Sequence, residues 1–228
     1  MSEISYNIIR RVRRRTASII IHADNRIDVL APAGLSDSHI AAWVGSKQTW
    51  IERKLHFNTH TRSRYEAKTF RQDELFALLG REYALCVEPS TKRHTYLSGE
   101  RLVCHTPAPD RSPALRRQIT HWYQQYARQH MQQRVAYYAT QTGLSPALVD
   151  IKNYRSRWGS CHPDGRIYFN WRIIMAPTHI SDYVVVHELC HLQQHNHSPA
   201  YWQLVAAIIP EYRTARLWLK VNSLSLDL

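Results

Sequence analysis

Hydrophobic and polar positions alternate along Arg26–Leu30, and Tyr6–Ile9 and Ser18–Ile21 are rich in β-forming residues, so all three are predicted strands. A turn at Ala23-Asp24-Asn25 separates the last two, so the three are expected to form an N-terminal meander closed by Pro32 and Gly34. The period then changes. Ser36 reads as an N-cap, and Ile40, Val44, Ile51 and Leu55 share one face of a helix running to about Phe57. Asn58–Asp73 is polar and charged, as a connector would be. Glu74–Val87 and Tyr96–His105 read as further strands, set off by the turn-rich Pro89–His94 and by Ser98-Gly99.

Pro107, Pro109 and Pro113 interrupt the pattern. A long helix follows over about 114–142, with Leu115, Ile119, Trp122 and Tyr126 on one stripe and Gly143 as its stop. Ile151–Tyr154 and Arg166–Asn170 read as strands around the turn Pro163-Asp164-Gly165. Pro177 precedes a helix at about 179–194. Ser198-Pro199 starts another, and Pro210 a third at about 211–221. Strands first and helices later make an α+β plan. The expected division is a basic β-rich N-terminal region, 1–112, and a catalytic domain, 113–228.

Charge sharpens this division. Residues 1–140 hold 22 Lys/Arg and 12 Asp/Glu, and residues 141–228 hold 8 and 6, so nearly all of the net +12 lies in the first part. Arg10, Arg11, Arg13, Arg14 and Arg15 crowd one segment. They read either as a surface for nucleic acid or another polyanion, or as a solvated strand face. No apolar run is long enough to span a membrane or to form a signal-peptide core, and the four cysteines form no C-x-x-C. The expectation is a reduced cytoplasmic protein. With 7 glycines and no G-x-G-x-x-G or P-loop, a glycine-rich phosphate cradle is excluded.

The chemistry is concentrated in His187-Glu188-Leu189-Cys190-His191. On a helix, residues four apart project from one face, so His187 and His191 have the spacing of two ligands to one Zn²⁺. Glu188 follows the first ligand, where a carboxylate can take a proton from water acidified by the metal. With 14 His and 9 Glu in the chain, H-E-x-x-H is expected by chance roughly 0.03 times. The apolar run Val184-Val185-Val186 buries this helix, where unpaired imidazoles and a carboxyl would be costly without a metal. A third ligand is needed. His195 lies ~12 Å along the helix axis from His187, too far to converge with it. His197 lies past the expected helix end, where a left-handed Asn196 would turn the chain back. His197 is therefore the favoured ligand and Glu211 the other candidate. The spacing H-E-x-x-H-x-x-x-x-x-H is shared with metzincins, but Gln194 stands where they have glycine, and no methionine lies downstream.

Arg157-Trp158-Gly159-Ser160-Cys161, Ile167–Asn170, the run Asp182–His191, Asn196-His197-Ser198 and Tyr201-Trp202 together resemble the YgjP-like metallopeptidase domain, related to SprT-like and WLM zinc peptidases. The resemblance is densest over 150–220 and implies His187, His191 and His197 as zinc ligands and Glu188 as base. It also implies a compact zincin-like catalytic domain with a sheet edge beside the active-site helix. Among the motif residues, Trp158, Tyr201 and Trp202 read as packing, and Gly159 as allowing close backbone approach. Arg157 is placed either to bind a substrate carboxylate or phosphate or to pair with Asp182 or Glu211. Asn170 and its strand are placed to offer an edge to an extended peptide. Tyr183, Tyr201, Tyr212 and Arg213 are open candidates for transition-state stabilisation.

The leading reading is thus a zinc-dependent hydrolase of metallopeptidase type acting on a protein or peptide. Two alternatives stand beside it. One is a metal-dependent nucleotide or phosphoanhydride hydrolase using the same site. The other is a nucleic-acid-associated protein with structural zinc, for which Cys161 or Cys190 would supply a fourth ligand.

Overall fold

The computed structural model describes residues 4–22, 24–62 and 67–228. They form two compact units, residues 1–66 and 67–228. Residues 63–66 of the expected connector, and Ala23 of the expected turn, lie outside the described residues.

The first unit is a three-stranded sheet with two helices. Strands β1 (Asn7–Arg11), β2 (Ser18–Ile21) and β3 (Ile27–Pro32) form in the predicted places, but not as a meander. β3 is central, parallel to β1 and antiparallel to β2. The reason lies in burial: Ile27, Val29 and Ala31 of β3 are the strand residues that fill this core. They pack with Ile40 and Val44 of α1 (Asp37–Gly45) and Ile51 of α2 (Gln48–Arg62). The single helix expected over 36–57 is broken at Ser46-Lys47, where the Ser46 hydroxyl donates to the Trp43 carbonyl at 2.7 Å. Its N-cap is as expected, with Ser36 accepting from the His39 N–H.

The second unit contains two sheets and four α-helices. β4 (Leu75–Leu78), β5 (Arg81–Pro89), β6 (His94–Ser98) and β7 (Arg101–Thr106) form one sheet in the order β4-β5-β7-β6. α3 (Ser112–Thr142) buries Leu115, Ile119, Tyr123, Ala127, Met131, Val135 and Tyr138, a stripe of four-residue steps closed by one of three, and stops at Gly143 with φ 70°. β8 (Leu148–Lys152), β9 (Gly159–Cys161) and β10 (Arg166–Asn170) form the small second sheet in the order β8-β10-β9. A 3-10 turn, Trp171–Met175, leads to α4 (Thr178–Cys190), then α5 (Pro199–Ile208) and α6 (Tyr212–Asn222). The α+β plan holds.

The boundary expected at Pro107–Pro113 falls inside this unit. Phe76, Leu78, Leu85 and Leu102 of the four-stranded sheet share one core with α3, α4 and the 3-10 turn, so β4–β7 cannot be separated from the catalytic part. The single strand expected over 74–87 is a hairpin instead. Its turn is Leu79-Gly80, both with positive φ, 50° and 79°. The hairpin braces the start of α4. The Leu79 N–H donates to the Ile174 carbonyl at 2.6 Å, and a Cβ on Gly80 would lie 3.0 Å from Pro177 Cα. No helix among the described residues is long and apolar enough to cross a membrane.

Candidate metal centre

α4 is buried on nearly all sides, with Ile180, Val184, Val185, Val186 and Leu189 in the core. Burial of this kind rests on apolar residues, yet the helix also carries Asp182, His187 and Glu188. Asp182 is accounted for by Arg134 of α3, whose Nε and Nη2 donate to its two carboxylate oxygens at 2.6 and 2.8 Å. This fork ties α4 to α3, the longest helix among the described residues.

The helix ends one residue before His191, earlier than the 194 expected. Tight turns follow, closed by Leu192 N–H to the Leu189 carbonyl and by Gln193 and Gln194 N–H to the Cys190 carbonyl. Asn196 is not left-handed, contrary to expectation. Its side chain accepts from the Ser198 N–H at 3.2 Å, a local Asx turn that redirects the chain without positive φ. Ser198 then caps α5 by accepting from Tyr201 N–H, with Pro199 in the first turn as predicted.

The result is a triangle of imidazoles. Ring centroids of His187 and His191 are 5.0 Å apart, those of His187 and His197 5.0 Å, and those of His191 and His197 4.8 Å. One donor nitrogen from each lies within 4.8 Å of the other two. His195 and Glu211, considered as ligands from spacing, are exposed and outside this cluster. Cys161 and Cys190 are outside it too, so no fourth His, Cys, Asp or Glu donor closes the site among the described residues.

The protonation states suit a cation. Burial pushes His187 down to about 3, helped by the His191, His197 and Arg216 charges. Burial also lowers His191 and His197. The rings are therefore neutral donors at ordinary pH. His191 Nδ1 faces the Gln194 carbonyl at 2.9 Å; a carbonyl only accepts, so Nδ1 carries the hydrogen and Nε2 keeps the lone pair. His187 Nε2 and His197 Nε2 approach to 3.2 Å, a pair of nitrogens that a cation would bring into common use. Tyr201 secures the arrangement: its hydroxyl donates to the His187 carbonyl at 2.9 Å, and its ring stacks on His191 at 4.5 Å.

Glu188 lies on the same helix, 5% exposed, against β9. A Cβ on Gly159 would fall 2.5 Å from Glu188 Oε1 and 2.6 Å from its Cγ, so only glycine leaves room for this carboxyl. Burial pushes Glu188 up to about 8, while the Arg157 charge and the Cys161 backbone N–H pull it back toward the carboxylate. A cation in the histidine triangle would act in the same direction.

A family model for the YgjP-like metallopeptidase domain matches residues 15–222. The chain belongs to this family. The match is broader than the residues that carry the motif and takes in all of β4–β7. The solved metallopeptidase zymogen of Pyrococcus abyssi abylysin is similar at 19% identity and a TM-score of 0.36, over 40% of this chain and 94% of that one. None of the curated proteins compared with the chain matches it.

Within this YgjP-like chain the remaining sequence-derived candidates separate clearly. Asn170 is not at an edge. β10 is the central strand, and the Asn170 side chain is occupied, donating to the Tyr154 and Arg157 carbonyls and accepting from Arg172 N–H. The outer strands are β8 and β9, and sequence reading missed β9 because Gly-Ser-Cys has no strand periodicity. Arg157 does not pair with Asp182, which Arg134 holds; it lies over Tyr154 at 5.6 Å, with its charge acting on Glu188. Tyr183 faces His187 Nδ1 at 3.3 Å, and Tyr212 is buried against Trp202. Arg213 lies over Tyr212. Arg216 was missed: it reaches the site over Trp202, one helical turn from Tyr212, a pairing visible in sequence only as an i, i+4 relation on α6.

Proposed function

We propose that His187, His191 and His197 hold one Zn²⁺ and that the chain hydrolyses peptide bonds with Glu188 as general base. Three neutral imidazoles with an open fourth direction are a donor set suited to catalytic zinc. Zn²⁺ held there supplies Lewis acidity, which acidifies water and polarises a carbonyl. The observation that carries the reading is the seat of Glu188: its carboxyl rests against Gly159, next to the ligand-bearing turn of α4. From that seat it accepts a proton from the attacking water and passes it to the leaving amine. β9 pairs with β10 on one side only, and of its other edge the Cys161 N–H is turned to Glu188, which leaves the rest of that edge to an extended substrate backbone.

In this reading the protein or peptide substrate meets the second unit. The first unit is proposed to meet nucleic acid or another polyanion through Arg11, Arg13 and Arg15, which are exposed and have no carboxylate partner among the described residues. Arg10 and Arg14 are structural instead. Arg10 binds Asp37 and the Pro32, Ala33 and Leu35 carbonyls, and Arg14 binds the Thr16 carbonyl and Ser18.

Metal analysis beside a substrate comparison tests the proposal. The purified chain is expected to carry one zinc, to lose it in His197→Ala, and to cleave casein-like or peptide substrates in preference to nucleoside triphosphates. Nucleotide hydrolysis without peptide cleavage would assign the site to phosphoanhydrides instead.

A further inference from the structure

Two arginines near the histidine triangle, Arg216 and Arg157, form no salt bridge among the described residues. Arg216 of α6 lays its guanidinium over the Trp202 ring at 4.5 Å. The same indole contacts His197 at 5.4 Å and His187 at 5.9 Å. Arg216 is therefore one ring away from two of the three imidazoles, and its positive charge reaches both. Arg157 stands beside Glu188. Both arginines are exposed, and Arg216 has no carboxylate within salt-bridge distance among the described residues. Of the acids near the site in sequence, Asp182 is engaged with Arg134 and Asp164 with Arg166, while Glu211, at the N-cap of α6 and five residues before Arg216, is exposed and forms no salt bridge with it. Glu188 is buried and serves as the base.

An unpaired guanidinium on an aromatic face keeps its planar fork of donors while losing little freedom when a carboxylate arrives. A substrate with a negative group near the reacting bond would supply the missing counter-charge through charge-assisted hydrogen bonds. Arg157 is the weaker receiver, because its charge already acts on Glu188.

We infer that the site selects peptides carrying an acidic side chain close to the cleaved bond, with Arg216 receiving the carboxylate. This rests on the peptidase reading above and names its substrate class. Arg216 is exposed, so the contact is screened by solvent and salt, and the expected discrimination is about tenfold.

Cut sites in a peptide mixture, followed by matched peptides bearing Glu, Gln or Lys at the flanking positions, test this on the zinc-loaded full chain. Wild type is expected to favour Glu over Gln by about tenfold in kcat/KM, less at high salt. Arg216→Gln is expected to erase the preference, and Arg216→Glu to turn it toward Lys, both with zinc content unchanged. A parallel arm uses calorimetric binding of the Glu and Gln peptides to zinc-loaded Glu188→Gln protein, which needs no turnover. Cleavage without charge preference, or a preference that survives Arg216→Glu, overturns the inference and leaves the peptidase reading intact. If no peptide is cleaved, the peptidase reading falls and binding decides the inference. Tighter binding of the Glu peptide that depends on Arg216 sustains it, and equal or absent binding overturns it.

Discussion

Gly159 and Glu188 are in contact so close that a methyl group on the glycine would overlap the glutamate carboxyl, at 2.5 Å from Oε1 and 2.8 Å from Cδ. Gly159 is in β9 and has ordinary strand backbone, so alanine fits its φ and only Glu188 has to move. Gly159→Ala is therefore expected to fold normally and keep its metal while the carboxyl is displaced. A shift of about 1 Å at a catalytic group lowers rates by ~10²-fold. Peptidase kcat/KM, zinc content and melting temperature, measured together, check this; unchanged kcat/KM would show that the carboxyl position is not critical.

Arg134 and Asp182 join α3 to α4 by two parallel hydrogen bonds at 2.6 and 2.8 Å. Asp182 is largely enclosed, so removing its partner strands a charge. Arg134→Met is expected to destabilise the chain by about 1.5–3 kcal/mol, the range for hydrogen bonds to charged groups. Adding Asp182→Leu to it should restore much of the loss, because the orphaned charge is gone. Urea unfolding of the single and double variants checks both parts.

Gly80 holds two constraints at once: φ 79° and a 3.0 Å approach to Pro177 Cα. Gly80→Ala pays the left-handed penalty of about 1–2 kcal/mol and pushes against the residue that starts α4. A lower urea midpoint with reduced zinc affinity is the expected pair of results, since the hairpin and the metal helix are braced against each other.

The clustering of His187 and His191 was legible because H-E-x-x-H on a helix is a local relation readable from spacing, whereas His197 joins them through an Asx turn at Asn196 and not the left-handed residue expected. The sequence also located α3 through Ile119 and its neighbours, and α5 through Ser198-Pro199. What stayed hidden was tertiary. Leu79 at positive φ looks like a strand residue until the Ile174 carbonyl that holds it is seen. β9 is too short to show a period, and its place is set by pairing with β10 and by Glu188. The parallel pairing of β1 and β3 requires a crossing that no alternation encodes. Arg216 stands 19 residues beyond His197, and only the packing of α6 on Trp202 brings it to the site.

Arg11, Arg13 and Arg15 surround Val12, which is 90% exposed. If they meet phosphates, replacing all three with alanine should reduce the salt dependence of DNA binding by about two to three in the log–log slope, at ~0.9 per phosphate contact. Stability should be unaffected, whereas Arg10→Ala should lower it by removing the contacts to Asp37 and the nearby carbonyls. An unchanged slope would remove the polyanion assignment.

Glu188→Gln decides the central claim. The variant keeps the shape of the side chain that rests on Gly159 and leaves His187, His191 and His197 in place, while removing the proton acceptor. Zinc content and peptide hydrolysis should be measured on the same preparations of wild type and variant. The expected result is equal zinc in both and a loss of ~10²–10⁴-fold in kcat, the usual contribution of a general base. Full activity in Glu188→Gln with zinc retained would contradict the account.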